Sequence, residues 1–297
     1  MRRGRSEEMR RWEGEPGLTA ALAGAAPVRA IEFRPPLREL PEDDSLDAWI
    51  DLSQAARALL AEGRIVLLTD DAVGSREEQS LQHLTSSLGE HADLSGVVPF
   101  LTCKHTLDYC LLFAKRAASL GVPAITVTGG DRDVGPRRCV ERSRDLRRII
   151  RDTVPDLRLG AWVNPFSDPA TQVGLLLDPR HVADYYITQV VSHHRMEPLD
   201  RFLEESERQS LGMPGLVGVF HYRSGSRQTL ARLSRFLPVP VDGLLAEFDA
   251  GASPEEITAR TFGALAERGV TRTYLSNLDP RSALERLARI EADVPSP

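Results

Sequence analysis

Three polar residues stand where short β-prone runs give way to loops, and their types suit proton transfer and recognition of a heterocycle. In Ile31-Glu32-Phe33-Arg34-Pro35-Pro36, strand alternation puts Glu32 on the face opposite Ile31 and Phe33. A carboxyl group confined there has its pKa raised by desolvation and can deliver a proton near neutral pH. The alternative is a rim charge paired with an arginine. Thr128-Gly129-Gly130-Asp131 reads as a tight turn whose glycines let a ligand approach the backbone while Asp131 accepts hydrogen bonds. Taken alone, it is also ordinary turn chemistry. Ile187-Thr188-Gln189 ends another run, and the Gln189 amide can either pair with the donor and acceptor edge of a heterocycle or bridge strands.

Other chemistries find less support. Cys103, His105, His193 and His194 do not follow a zinc-ligand spacing, so no metal site is expected. A nucleophilic Cys103 competes with the commoner small buried thiol. No phosphate-binding Gly-rich loop or dinucleotide Gly-x-Gly-x-x-Gly follows a β-prone run. That does not exclude a nicotinamide cofactor, which barrels bind without the fingerprint.

The elements that must position these residues alternate regularly. Eight short apolar runs, 30–33, 64–69, 97–102, 124–128, 159–163, 185–190, 216–220 and 273–276, are separated by stretches of helical period, the pattern of βα units on a parallel sheet. Helices are expected at 107–120 and 137–153, the latter Arg-rich with a solvated face, and an extra short one at 241–248. The segment 34–47, rich in Pro, Glu and Asp, reads as a long loop. The expected fold is a single (β/α)8 barrel spanning 29–297, with 1–28 as an N-terminal arm or tail. In such a barrel the ends of the strands and the loops after them form the active face.

The bulk properties agree with a soluble globular protein. The 297 residues exceed the roughly 250 typical of such barrels only modestly, and 41% of them are hydrophobic and 27% charged. No apolar stretch is long enough for a membrane span, and a net charge of -6 argues against a nucleic-acid surface. Three cysteines do not make a secreted disulfide framework, so a reducing cytoplasm is the expected setting. Nothing here argues against a homo-oligomer.

Taken in order, Glu32-Phe33-x-Pro35-Pro36, Pro99-x-Leu101-Thr102-Cys103, Gly130-Asp131 and Ile187-Thr188-Gln189 resemble the motifs of methylenetetrahydrofolate reductases, over about Ala30 to Asn277. The resemblance implies that Glu32 acts in protonating 5,10-methylenetetrahydrofolate, that Asp131 lies close to the reacting centre and that Gln189 contacts the pterin. Thr69, Phe100 and Thr102 are then expected to help line the folate, and Gly129, Gly130, Trp162 and Asn164 the cofactor.

Departures from the family's flavin-binding members bear on that cofactor. They carry His, Arg and Lys where this chain has Phe100, Gly129 and Asp178, the last by gapless counting back from Gln189. Trp162 replaces their usual Tyr, the segment 164–169 lacks a clear counterpart to their His, and Leu278 replaces an expected Arg, with Arg281 a candidate substitute. The pattern is similar to flavin-independent members, which implies direct hydride transfer from NADH, with NADPH and FAD less favoured. The alternatives are an FAD enzyme with rebuilt contacts and a barrel that binds folate without catalysis.

Overall fold

The computed structural model describes residues 17–24, 26–37, 39–70, 84–85, 87–89, 92–130 and 135–294. Its eight strands are all parallel and close on themselves in sequence order, with β1 hydrogen-bonded to both β2 and β8. The strands are β1 (Val28–Phe33), β2 (Val66–Leu68), β3 (Val97–Thr102), β4 (Ala124–Thr128), β5 (Arg158–Val163), β6 (Tyr185–Val191), β7 (Gly215–Phe220) and β8 (Arg272–Ser276). Each coincides with one of the eight expected runs, so the chain is a (β/α)8 barrel. Every residue of β2, β3 and β4 is buried, as strands covered on both faces must be.

The helices are α1 (Leu18–Ala23), α2 (Glu42–Ala61), α3 (Leu107–Ser119), α4 (Ser143–Thr153), α5 (Pro169–Leu177), α6 (Glu197–Arg208), α7 (Arg227–Leu233), α8 (Val241–Asp249), α9 (Pro254–Ala266) and α10 (Ala283–Asp293). Their starts follow from local chemistry. Thr106 caps α3 by accepting the Tyr109 N–H at 3.3 Å, and Ser253 and Glu256 form a reciprocal capping box on α9. In α3, Cys110, Ala114 and Ala117 face inward at helical spacing. None of the described helices is long and apolar enough to cross a membrane.

Two sequence expectations need correction. The loop expected over 34–47 ends at Pro41, because Glu42, Asp43 and Asp44 form the first turn of α2, where carboxylates suit the positive end of the helix dipole. The helix expected from residue 137 begins only at Ser143. Before it, the Cys139 N–H is drawn to the Cys103 carbonyl at 2.7 Å and Arg138 reaches back to the Gly130 carbonyl.

Two apolar clusters result. Outward residues such as Ile31, Phe33, Leu101 and Val127 pack under the helices. Inward residues, among them Ala30, Leu67, Val98, Phe100, Tyr185, Ile187, Leu216 and Tyr274, fill the barrel, and Leu18 and Leu22 of α1 join this inner cluster beside Val28 and Ile65.

Two tyrosines occupy the interior because glycines face them. A Cβ on Gly160 would lie 2.5 Å from the Tyr185 ring, and one on Gly218 would lie 2.5 Å from the Tyr274 ring. The Tyr185 hydroxyl meets Thr126 at 2.9 Å, and the Tyr274 hydroxyl donates to the Thr188 carbonyl at 2.7 Å. Gly218→Ala therefore puts a methyl where a fixed ring already is, and should cost roughly 1–3 kcal/mol in urea unfolding, the usual range for overpacking. A loss below about 0.5 kcal/mol would mean that the Tyr274 ring is free to yield.

Candidate functional site

The C-terminal ends of the strands carry a ring of polar and aromatic groups. Glu32 on β1 has an inward side chain only partly open to solvent, paired across the sheet with Ser276 of β8. Burial pushes its carboxyl from an ordinary 4.5 up to about 7, although the Ser276 hydrogen bond and the charge of Arg34 both pull it down. Desolvation wins, and the group can hold or release a proton at neutral pH.

Beyond β2, Thr69 continues the ladder by donating its N–H to the Phe33 carbonyl at 3.0 Å. Thr102 and Thr128 are cross-strand partners on β3 and β4, and the hydroxyls of both are buried without a hydrogen-bond partner among the described residues. Buried hydroxyls in that condition suit a polar ligand edge. Phe100 lies one inward position below Thr102, only 6% exposed, so it forms the floor and not the wall.

After β4, Gly130 has φ of 68° and the Lys104 side chain lies against its Cα, so that a Cβ there would be 2.8 Å from Lys104 Cγ. The Arg138 guanidinium fills the space that a side chain on Gly129 would take, 2.9 Å from the position of its Cβ. Two cationic side chains thus border the glycines. Asp131 lies outside the described residues.

Trp162, one residue before the end of β5, has 37% of its surface exposed, a large aromatic face at the mouth. Asn164 turns to its own loop, its Oδ1 accepting the Phe166 N–H at 3.1 Å and its N–H donating to Gln172 at 3.0 Å. This is a turn-forming role.

On β6 the register slips between Ile187 and Val190, a bulge that re-aims the side chains near it. Thr188 fills the interrupted ladder, its hydroxyl accepting the Gly218 N–H at 3.1 Å. Gln189 is half-buried on the bulge, with Oε1 accepting the Val190 N–H at 2.9 Å. The closed topology brings Glu32, Thr69, Thr102, Gly129, Gly130, Trp162 and Gln189 to one end of the barrel.

Sequence reasoning overlooked Asp70. Its carboxylate accepts the Thr102 N–H at 2.6 Å and meets His105 Nε2 at 2.8 Å, tying the ends of β2 and β3 together. Its position directly after a strand was the available signal.

Two charge assignments fail. Asp178 lies on the connection from α5 to β6, in the outer layer, where it caps a short 3-10 turn and pairs with the exposed Arg180 at 2.9 Å. It lies before β6 and away from the strand C-terminal ends, so it does not bear on a diphosphate at the mouth. Arg281 turns outward onto Asp51 of α2 at 2.6 Å, while Arg223, in the loop after β7, bonds Asn277 at 3.1 Å.

The cysteines are free thiols. Burial drives Cys103 up to about 12, so it is protonated and not poised as a nucleophile. Among the described residues, His193, His194 and Glu247 form a group that could share a metal ion. Glu247 comes from α8, 53 residues beyond His194, so local spacing could not reveal it.

No family profile matches the chain, and no curated protein matches it in sequence. Among solved structures, an uncharacterized protein from Clostridium thermocellum that binds two copies of 5-methyl-5,6,7,8-tetrahydrofolic acid is similar, with a TM-score of 0.63 and 15% identity, covering 90% of this chain and 94% of that one. The spore cortex-lytic enzyme SleL of Bacillus cereus aligns with a TM-score of 0.48 and 10% identity over 89% of this chain and 74% of that one. The first likeness is one of fold.

The raised Glu32 pKa has a consequence for stability. The folded state keeps this proton up to about pH 7 while the unfolded state loses it near 4.5, so stability contributed below pH 4.5 is lost as pH rises through 7. Glu32→Gln removes that dependence. Above pH 7 the variant should exceed the wild type by up to about 3 kcal/mol, with the gap closing toward pH 4, as read by urea unfolding across pH. A gap independent of pH would show that Glu32 is not desolvated.

Proposed function

We propose that the chain reduces 5,10-methylenetetrahydrofolate to 5-methyltetrahydrofolate, taking hydride directly from NADH. The observation that carries this reading is Glu32, a carboxyl held near pKa 7 at the mouth of the barrel. The methylene carbon lies between two nitrogens and accepts hydride poorly. Glu32 gives its proton to one nitrogen, the ring C–N bond opens, and the other nitrogen becomes an iminium. NADH supplies a hydride, which carries both electrons of the reduction, to that carbon, leaving NAD+ and a methyl group. Water then restores the Glu32 proton.

The other groups at the mouth have matching uses. The Trp162 indole offers a stacking face, while the hydroxyls of Thr102 and Thr128 offer hydrogen bonds to a polar heterocycle. Gln189 reaches the pterin once its Oε1 leaves the Val190 N–H. Asp131 is assigned to stabilising the developing cation. The similar barrel from Clostridium thermocellum binds 5-methyltetrahydrofolate, the product of this reaction, which supports a reduced folate as ligand.

A flavin-dependent version of the reaction draws on one observation. Arg138 stands over Gly129 and Lys104 beside Gly130, so cationic groups are present at β4 although residue 129 is not itself an arginine. The same cations can serve the diphosphate of NADH.

Steady-state kinetics separate the two versions. Direct transfer needs both substrates bound together and predicts intersecting initial-rate lines with colourless protein, whereas a flavin relay gives parallel lines and a flavin spectrum. Glu32→Gln should lower kcat by roughly 100-fold or more with little change in folate affinity. Near-normal turnover in that variant would remove Glu32 from the chemistry. Folate binding without NADH oxidation by the wild type would leave a binding protein.

A further inference from the structure

Just past the end of β6, the loop carries His193 and His194, whose rings stack with centroids 4.0 Å apart. Both point at one carboxylate. His193 Nε2 lies 3.3 Å from either oxygen of Glu247, and His194 Nε2 lies 3.0 Å from Oε2. The three side chains are only 15–19% exposed.

The far nitrogen of His193 decides what the near one can do. His193 Nδ1 lies 2.9 Å from Thr261 Oγ1, and the Thr261 hydroxyl gives its own proton to the Ile257 carbonyl one turn back along α9, at 3.4 Å. With the Thr261 proton on that carbonyl, Oγ1 accepts from His193 Nδ1–H and Nε2 of the neutral ring keeps a lone pair facing the carboxylate, the tautomer that metal binding requires. Two lone pairs at that separation call for a cation between them. Metal-bound histidines are held in this way, the ring N–H opposite the metal being fixed by an oxygen acceptor.

The spacing also suits a metal ion. Ligand atoms about 2.0–2.1 Å from a tetrahedral zinc lie about 3.3–3.4 Å from one another, close to the observed 3.0 and 3.3 Å separations. Arg260 occupies the other carboxylate oxygen, Oε1, and so orients Glu247 with Oε2 toward the imidazoles. Gly243 gives His194 its room, since a Cβ there would lie 2.6 Å from the ring.

We propose that His193 Nε2, His194 Nε2 and Glu247 Oε2 bind one divalent transition-metal ion of the zinc class, leaving an open coordination position toward solvent. The site joins the β6 loop to α8 and α9. It uses none of the groups assigned to hydride transfer, so it stands or falls independently of the reductase reading.

The test is titration of chelator-treated full-length protein with Zn2+ and with Co2+. Saturable binding of one equivalent is expected, with the visible absorption of low-coordinate Co2+ displaced by Zn2+. His194→Ala should lower affinity by more than about tenfold, and Thr261→Val, which keeps the helix and the side-chain volume, by about 10- to 100-fold. Absence of saturable binding by the wild type, or wild-type affinity retained by both Thr261→Val and His194→Ala, would overturn the proposal. So would nitrogen NMR of the metal-free protein at neutral pH showing both nitrogens of His193 protonated, since an ion pair with Glu247 would then fill the role of the metal. Should His194→Ala fail to fold, Thr261→Val and the NMR measurement decide.

Discussion

The packing of Tyr274 inside the barrel is the contact on which the candidate site depends. Its ring needs the bare backbone of Gly218, and its hydroxyl holds the carbonyl of Thr188. Gly218 in turn gives its N–H to the Thr188 hydroxyl, so the bulge before Gln189 is fixed from both sides. By register the ring lies one inward layer below Ser276, the strand partner of Glu32. The charge on Glu32 makes Tyr274 still harder to ionise, adding to the effect of burial. One aromatic side chain thus borders the acid and helps hold the bulge that carries the amide.

Electrostatics at the mouth follow from what burial allows. Glu32 could have been an ordinary surface carboxylate, with Ser276 and Arg34 both favouring its charged form, but the loss of solvent outweighs them. Cationic groups stay at the edge. Lys104 lies beside Gly130 and donates to the Pro136 carbonyl at 3.1 Å, and Arg138 crosses Gly129. The mouth thereby combines a carboxyl that titrates near neutral pH, an aromatic face and cations near a glycine turn, a set suited to a flat polar heterocycle together with a phosphate-bearing partner. Folate and NADH meet that description under the proposed reading.

Buried arginine shows the same trade in the outer layer. Arg147 is fully buried, yet its guanidinium donates to the carbonyls of Val127, His181 and Val182, pinning α4 to β4 and to the connection before β6. Desolvation lowers its pKa to about 10, still high enough to keep it charged at neutral pH. From sequence it looked like one more residue of an Arg-rich solvated face. Charge alone does not place a side chain when carbonyls are available to receive it.

What the sequence determined is the part governed by local pattern. All eight strands were legible because run length, β-branched composition and alternation act within a few residues, and their number with intervening helices implies a closed parallel barrel. The same alternation put Glu32 on the inward face and Gln189 at a strand end. Tertiary structure alone decided the rest. The bulge at Thr188, the Arg138 guanidinium over Gly129, the outward turns of Asp178 and Arg281, and the approach of Glu247 to His193 and His194 all join residues through register or packing. Sequence spacing cannot encode such meetings, because they depend on how far each strand slides past its neighbour and on which side chain fills the space a glycine leaves.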